Sequence, residues 1–159
     1  MRNKNKGFTL IEMLVVIAVI GLLAALILVG LSSFRTRGRD TRRIADVKEV
    51  QNGLELYYMK NGSYPTVSGG DAAARWGQLR TALTGAELGI NDIPQDPTFP
   101  SRSYDYGSDG QHYVIAVPIE DYKSNSSLLG SDIDGIQTNL NNVDCGTNDA
   151  NDSVYCVGM

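Results

Sequence analysis

Histidine and cysteine are almost missing from this chain: His112 is the single histidine of 159 residues, and Cys145 and Cys156 are the only cysteines. That scarcity excludes a His/Cys metal cluster and a histidine-based nucleophilic triad, and no glycine-rich phosphate loop is present, so catalysis is not expected. No proline falls between Phe8 and Met59, which permits one uninterrupted helix of about 50 residues, roughly 75 Å long. Its weak points are Gly21, Gly30, Gly38 and Gly53, each costing about 1 kcal/mol relative to alanine. Basic charge is scarce from residue 44 onward, where six lysines and arginines face sixteen acids. This part reads as a solvated acidic domain, and no nucleic-acid binding is indicated.

Polarity is absent from a further stretch. From Met13 to Leu31, nineteen residues carry no charged or hydrogen-bonding side chain, nearly enough for a helix to span a hydrocarbon core of about 30 Å. The sixteen Leu, Ile, Val and Phe residues between Phe8 and Leu31 favour insertion by roughly 5 to 10 kcal/mol, whereas one acid at a helix centre costs about 2.5 to 3.5 kcal/mol. Insertion therefore survives Glu12, the one charge at the head of the run. A cleaved secretory signal has a shorter apolar core, of about 7 to 15 residues, and a small-residue cleavage site. This run instead continues into an amphipathic segment with Ile44, Val47, Val50, Leu54 and Tyr57 at helical spacing and Asp46, Lys48, Glu49 and Glu55 between them.

The helix ends at KNGSYPT, residues 60 to 66, where Asn61-Gly62 supplies a stop and Pro65 blocks resumption. A short second helix is expected in DAAARWGQLRTALTG, with Asp71 as N-cap and Trp76, Leu79 and Leu83 on one face. INDIPQDPTFP must be loop. Two β-rich runs flank Gly107-Ser108-Asp109-Gly110, a hairpin signature that places His112 within the second run. Residues 119 to 153 are Ser-, Asn-, Asp- and Gly-rich and read as one long constrained loop.

The string KGFTLIEMLVVIAVIGLLAAL resembles the N-terminus of class III signal-peptide proteins, the type IV pilins and the pseudopilins of type II secretion. RRIADVKEVQNGLELYYMKNGSYPT resembles the second half of the pilin helix and its exit in the major-pseudopilin branch. Together the two stretches cover the first 66 residues; the remainder matches in layout. Many members carry a proline near position 29, where this chain has Val29 followed by Gly30. The resemblance implies an α+β, pilin-like fold in which a long N-terminal helix packs on a small antiparallel sheet. It divides the chain into a leader, 1–7, a membrane or filament-core helix, 8–34, an amphipathic helix, 35–60, and a head domain with a disulfide loop, 61–159. A prepilin peptidase would cut between Gly7 and Phe8 and methylate the new amine, and Glu12 would pair with the N-terminus of a neighbouring subunit. The implied partners are identical subunits in a homopolymer, the peptidase, an inner-membrane assembly machinery and, before assembly, the phospholipid bilayer. The implied location is the inner membrane as a single-pass protein, then an extracellular pilus or a periplasmic pseudopilus.

Physical chemistry gives Glu12 the same part to play. In a bundle of apolar helices a lone carboxylate is costly, and a cationic amine at Phe8 would give it a partner and fix axial register. Five arginines, Arg35, Arg37, Arg39, Arg42 and Arg43, follow the apolar run against Asp40 alone. By the positive-inside rule they would hold the following part in the cytoplasm, against Arg2, Lys4 and Lys6 in front. They are expected to form a collar that meets lipid headgroups before assembly and acidic neighbouring domains afterwards. Cys145 and Cys156 point to the other side of the membrane, as a disulfide in an oxidising compartment; two free thiols are the alternative. Asp132, Asp134 and Asp144 are candidate hard-cation ligands, and major pseudopilins resemble this chain in binding calcium through an acidic C-terminal loop. The spacing does not fit an EF-hand, and ordinary acidic turn residues are the competing reading. The function expected is that of a structural filament subunit, either a pilin or a pseudopilin; the alternative is a membrane-anchored binding domain that never polymerises.

Overall fold

The computed structural model describes residues 8–123, 132–146 and 153–159. Helix α1, Leu10–Asn61, takes up the proline-free stretch. It stops at Gly62, whose φ of 74° lies in the left-handed region that glycine tolerates and whose N–H donates to Tyr58 O at 2.7 Å. Contacts divide the chain into a first unit ending at Thr36 and a second, Arg37–Met159. In the first unit the apolar side chains of α1 from Leu10 to Ile27 are all exposed. The helix is long and apolar enough to cross a membrane, and its most apolar window has none of its surface buried.

The second unit holds the core. On α1 the buried stripe is Asp40, Arg43, Val47, Val50 and Leu54, a three-four spacing that keeps one face inward. The stripe thus begins with two charges, and Asp46, expected on the polar side, is buried as well. Helix α2, Ala72–Gly85, is capped by Asp71, which accepts from Ala74 N at 2.9 Å, and buries Trp76, Leu79 and Leu83. The Trp76 indole N–H donates to Pro94 O at 2.9 Å, which ties the proline-rich loop to this helix.

Strands β1, Asp105–Ser108, β2, Tyr113–Pro118, and β5, Val154–Gly158, form an antiparallel sheet in the order β1-β2-β5. Ser108 pairs with Tyr113, so the hairpin turn is 109–112, two residues later than the sequence suggests. Gly107 and Ser108 are strand, and exposed His112 closes the turn with Asp109. Asp109 holds it there, its side chain accepting the backbone N–H groups of Gln111 and His112. Central β2 is buried on both faces. Tyr113, Ile115 and Val117 join Val47, Val50 and Leu54 in the main core, and Val114 and Ala116 join Val143, Cys145 and Cys156 in a second cluster.

The stretch 119–153, expected to be one loop, carries a two-stranded ladder of β3, Ile136–Gln137, and β4, Val143–Asp144. The turn between them lies so close over β1 that a Cβ on Gly107 would sit 1.9 Å from Leu140 O, so only glycine fits there. Cys145 and Cys156 are joined by a disulfide, with Cα atoms 5.6 Å apart. Both are buried, and the bond ties β5 to the end of β4.

Candidate functional site

The start of α1 is built by two side chains. Thr9 precedes the first helical residue, and its N–H and hydroxyl both donate to Glu12 Oε2, at 2.8 and 2.6 Å, while Glu12 N donates back to Thr9 Oγ1 at 3.3 Å. This is a reciprocal capping box, T-x-x-E, satisfying helix-start donors that have no partner within the helix. The carboxylate is thus fixed at the positive end of the helix, where an anion is favoured. Glu12 Oε1 has no hydrogen bond among the described residues. Phe8 is exposed just before the cap; Gly7, the other residue expected at the cleavage step, lies outside the described residues. The T-x-x-E signal is plain in the sequence, and Thr9 was nevertheless not singled out there.

The arginines contradict the expected collar. Arg43 is fully buried: Nε and Nη2 donate to Asp96 at 2.7 and 3.1 Å, and Nη1 donates to Asp40 Oδ1 at 2.8 Å and meets Glu120 Oε1 at 2.7 Å. Asp40 in turn accepts the N–H groups of Glu120 and Asp121, at 3.0 and 2.8 Å. Arg39 grips Glu120 through two nitrogens, Arg37 meets Asp121 at 3.1 Å, and Arg42 lies 3.9 Å from Asp46. Four of the five arginines are therefore engaged by acids of their own chain, and the one at 43 cannot reach a lipid. Asp40 and Asp46 are local partners on the same helix, whereas the acids at 96, 120 and 121 lie far along the sequence and no local pattern announces them.

Hydrogen bonds from Arg39, with burial opposing and Arg43 assisting, hold the Glu120 carboxyl at about 2, against an ordinary 4.5. Burial would raise Asp96, but Arg43 and Thr98 hold it below the usual range. A carboxyl depressed on folding contributes stability that is fully present above its unfolded pKa and is lost as pH falls through its folded pKa. The second unit should therefore lose on the order of 3 kcal/mol from Glu120 between about pH 5 and pH 2. Burial raises Asp46, which opposes this trend in part. Chemical denaturation at pH 7 and pH 3 checks the sign: a midpoint unchanged at pH 3 would contradict the pairing.

The three candidate cation ligands do not converge. Asp132 Oδ2 accepts from Cys156 N at 2.8 Å, Asp144 Oδ1 accepts from Gly146 N at 3.0 Å, and Asp134 Oδ1 is buried without a hydrogen bond. Among the described residues no three acidic, histidine or cysteine side chains gather as a ligand set.

An α+β protein with a membrane-length apolar helix, an acid at that helix's start and a disulfide-tied head is the class defined by this arrangement. Residues 2–28 match the family model described as the prokaryotic N-terminal methylation motif. The type IV wide pilus major component PilA4 of Thermus thermophilus is 45% identical over 140 residues, covering 82% of this chain and 95% of that protein. The type II secretion system core protein G of Aeromonas hydrophila is 32% identical over 119 residues, 73% of this chain and 82% of the relative. Its Escherichia coli counterpart is 25% identical over 127 residues, 80% of this chain and 73% of the relative. No solved structure matches the chain at a significant level. The chain belongs to the family of type IV pilins and type II secretion pseudopilins.

Proposed function

We propose that this chain is the structural subunit of a type IV pilus-like filament, drawn from an inner-membrane pool after removal of residues 1–7. The observation that carries the reading is the Thr9–Glu12 box at the head of an apolar helix whose side chains from Leu10 to Ile27 are exposed. Exposed to water, those side chains would forfeit the free energy of burial, so they require lipid before assembly and the helices of identical subunits afterwards. Within such a bundle the single carboxylate needs a cation, and the amine created at Phe8 supplies one that every subunit carries. Prepilin peptidase is the processing partner, and an inner-membrane machinery extracts the subunit from the bilayer. The chain is not an enzyme on this reading.

Likeness to a wide-pilus component at 45% identity over 95% of its length favours a surface fibre. The pseudopilus of a type II secretion system is the second reading, favoured by the several relatives named core protein G. Fibres sheared from wild-type cells and labelled by antibody against the head separate the two, since a pseudopilus is confined to the periplasm. Gly7→Val should leave a full-length precursor in the membrane and no fibres; fibres built from uncut chains would overturn the processing step.

A further inference from the structure

A cleft opens on the second unit between α1 and the proline-rich loop. Its volume is about 150 Å³ and its walls are mostly apolar: Val50, Gly53 and Leu56 on one side, Leu83, Ile90 and Ile93 on the other. Gly53 makes the room, because a Cβ there would lie 3.2 Å from Ile90 Cδ1 and 3.6 Å from Leu83 Cδ1. Small-molecule sites usually run to about 300–1,000 Å³, whereas about 150 Å³ is the size of an engineered cavity that accepts one benzene ring. The cleft is therefore proportioned for a single inserted side chain. Glu49 stands on its rim, exposed and without an ion pair among the described residues.

The same chain presents a matching projection. Phe99 is 48% exposed at the tip of the turn 97–100. The turn is held by Phe99 N donating to Asp96 O at 3.0 Å and by Thr98 N and Oγ1 on Asp96 Oδ1, at 2.7 and 2.6 Å. Asp96 is itself gripped by buried Arg43, so the projecting ring is pre-organised. Three residues on, Arg102 is exposed and has no ion pair among the described residues. One apolar ring followed by one cation complements an apolar cleft lined by two carboxylates, of which Asp92 pairs with Arg80 and Glu49 has no ion pair among the described residues.

We propose that Phe99 of one subunit inserts into the Gly53–Ile90 cleft of a second copy of this chain, with Arg102 meeting Glu49 across the contact. Projection and cleft are different patches of one surface, so each subunit can engage one neighbour through Phe99 and another through its cleft. Such a heterologous contact propagates into an open helical polymer where the rotation between copies does not close. The inference rests on the filament reading and names its head-to-head contact.

The test uses full-length subunits carrying Ser101→Cys and Asn52→Cys together, exposed positions beside the projection and the cleft that leave Phe99, Arg102 and Glu49 in place, in cells that otherwise assemble fibres from the wild-type chain. Sheared fibres are treated with a short bismaleimide; the native cysteines are already bonded to each other. The expected result is a ladder of covalent multimers from the double variant and none from either single variant. Normal fibres without a ladder would overturn the contact and leave the filament reading intact. Absence of fibres from wild-type cells would overturn both. Should the double-cysteine chain fail to assemble, charge reversal decides: Glu49→Arg and Arg102→Glu should each cut fibre yield roughly fivefold or more through like-charge contact, and the two combined should restore it. Loss without restoration would overturn the contact.

Discussion

Glu12→Gln should abolish fibre formation while leaving the start of α1 intact. Glutamine serves a capping box as glutamate does, so Thr9 keeps its partner and the helix keeps its first turn. What disappears is the charge. In the filament core the amine of a neighbouring Phe8 would then lie buried without a counter-ion, and deleting one member of a buried pair costs about 3 to 5 kcal/mol. That corresponds to roughly 100- to 1,000-fold or more in each addition step. Glu12→Val should fail in the same way, with the added loss of the cap, about 0.5 to 2 kcal/mol, even though it favours membrane insertion. Thr9→Val removes only the cap and should be much milder. Processed monomer accumulating in the membrane, with fibre counts from electron microscopy, distinguishes the three. Wild-type fibre numbers from Glu12→Gln would reduce Glu12 to a helix cap and remove its pairing with the Phe8 amine from the account.

Arg43→Met should be the most damaging single change in the second unit. It leaves Asp40 and Asp96, both buried, without the guanidinium that joins them, and takes one of the two arginines from Glu120. A broken buried network costs about 3 to 5 kcal/mol, which for a unit of this size lowers the unfolding temperature by roughly 10 to 20 °C. Arg37→Met removes an ion pair that the salt-bridge geometry alone would rank as similar, 3.1 Å to Asp121, but its side chain is 58% exposed. Such a pair contributes about 0 to 1 kcal/mol. Thermal unfolding of the full chain in detergent, followed by aromatic circular dichroism, should show a large shift for the first and almost none for the second. Equal shifts would mean that burial does not decide the matter.

What could be read from the sequence and what could not divide along physical lines. The extent of α1, its exit at Gly62, and α2 with its Asp71 cap follow from local signals, namely proline absence, a left-handed glycine and a side-chain cap. The Asp40–Arg43 stripe was not legible, because a buried charge looks like a solvated one until its partners at 96 and 120 are brought near by the fold. The hairpin slipped by two residues because Gly107 is needed for the close approach of Leu140 O rather than for a turn. Strand β5 is five residues long and follows a polar stretch, so its strand character depends on pairing with β2, which no local pattern states. At the helix start the sequence offered both Glu12 and its Thr9 partner. An acid in an apolar run stands out by its charge, whereas its capping role shows only once Thr9 is seen to donate to it.

The most direct test of the filament account is the intact mass of the subunit in fibres sheared from wild-type cells. The expected mass is that of residues 8–159 with the Cys145–Cys156 disulfide and one added methyl group, placed on the Phe8 amine by fragmentation. Fibres made of chains that begin at Met1, or a chain recovered only as an uncut membrane protein from cells whose fibres contain none of it, would contradict the account.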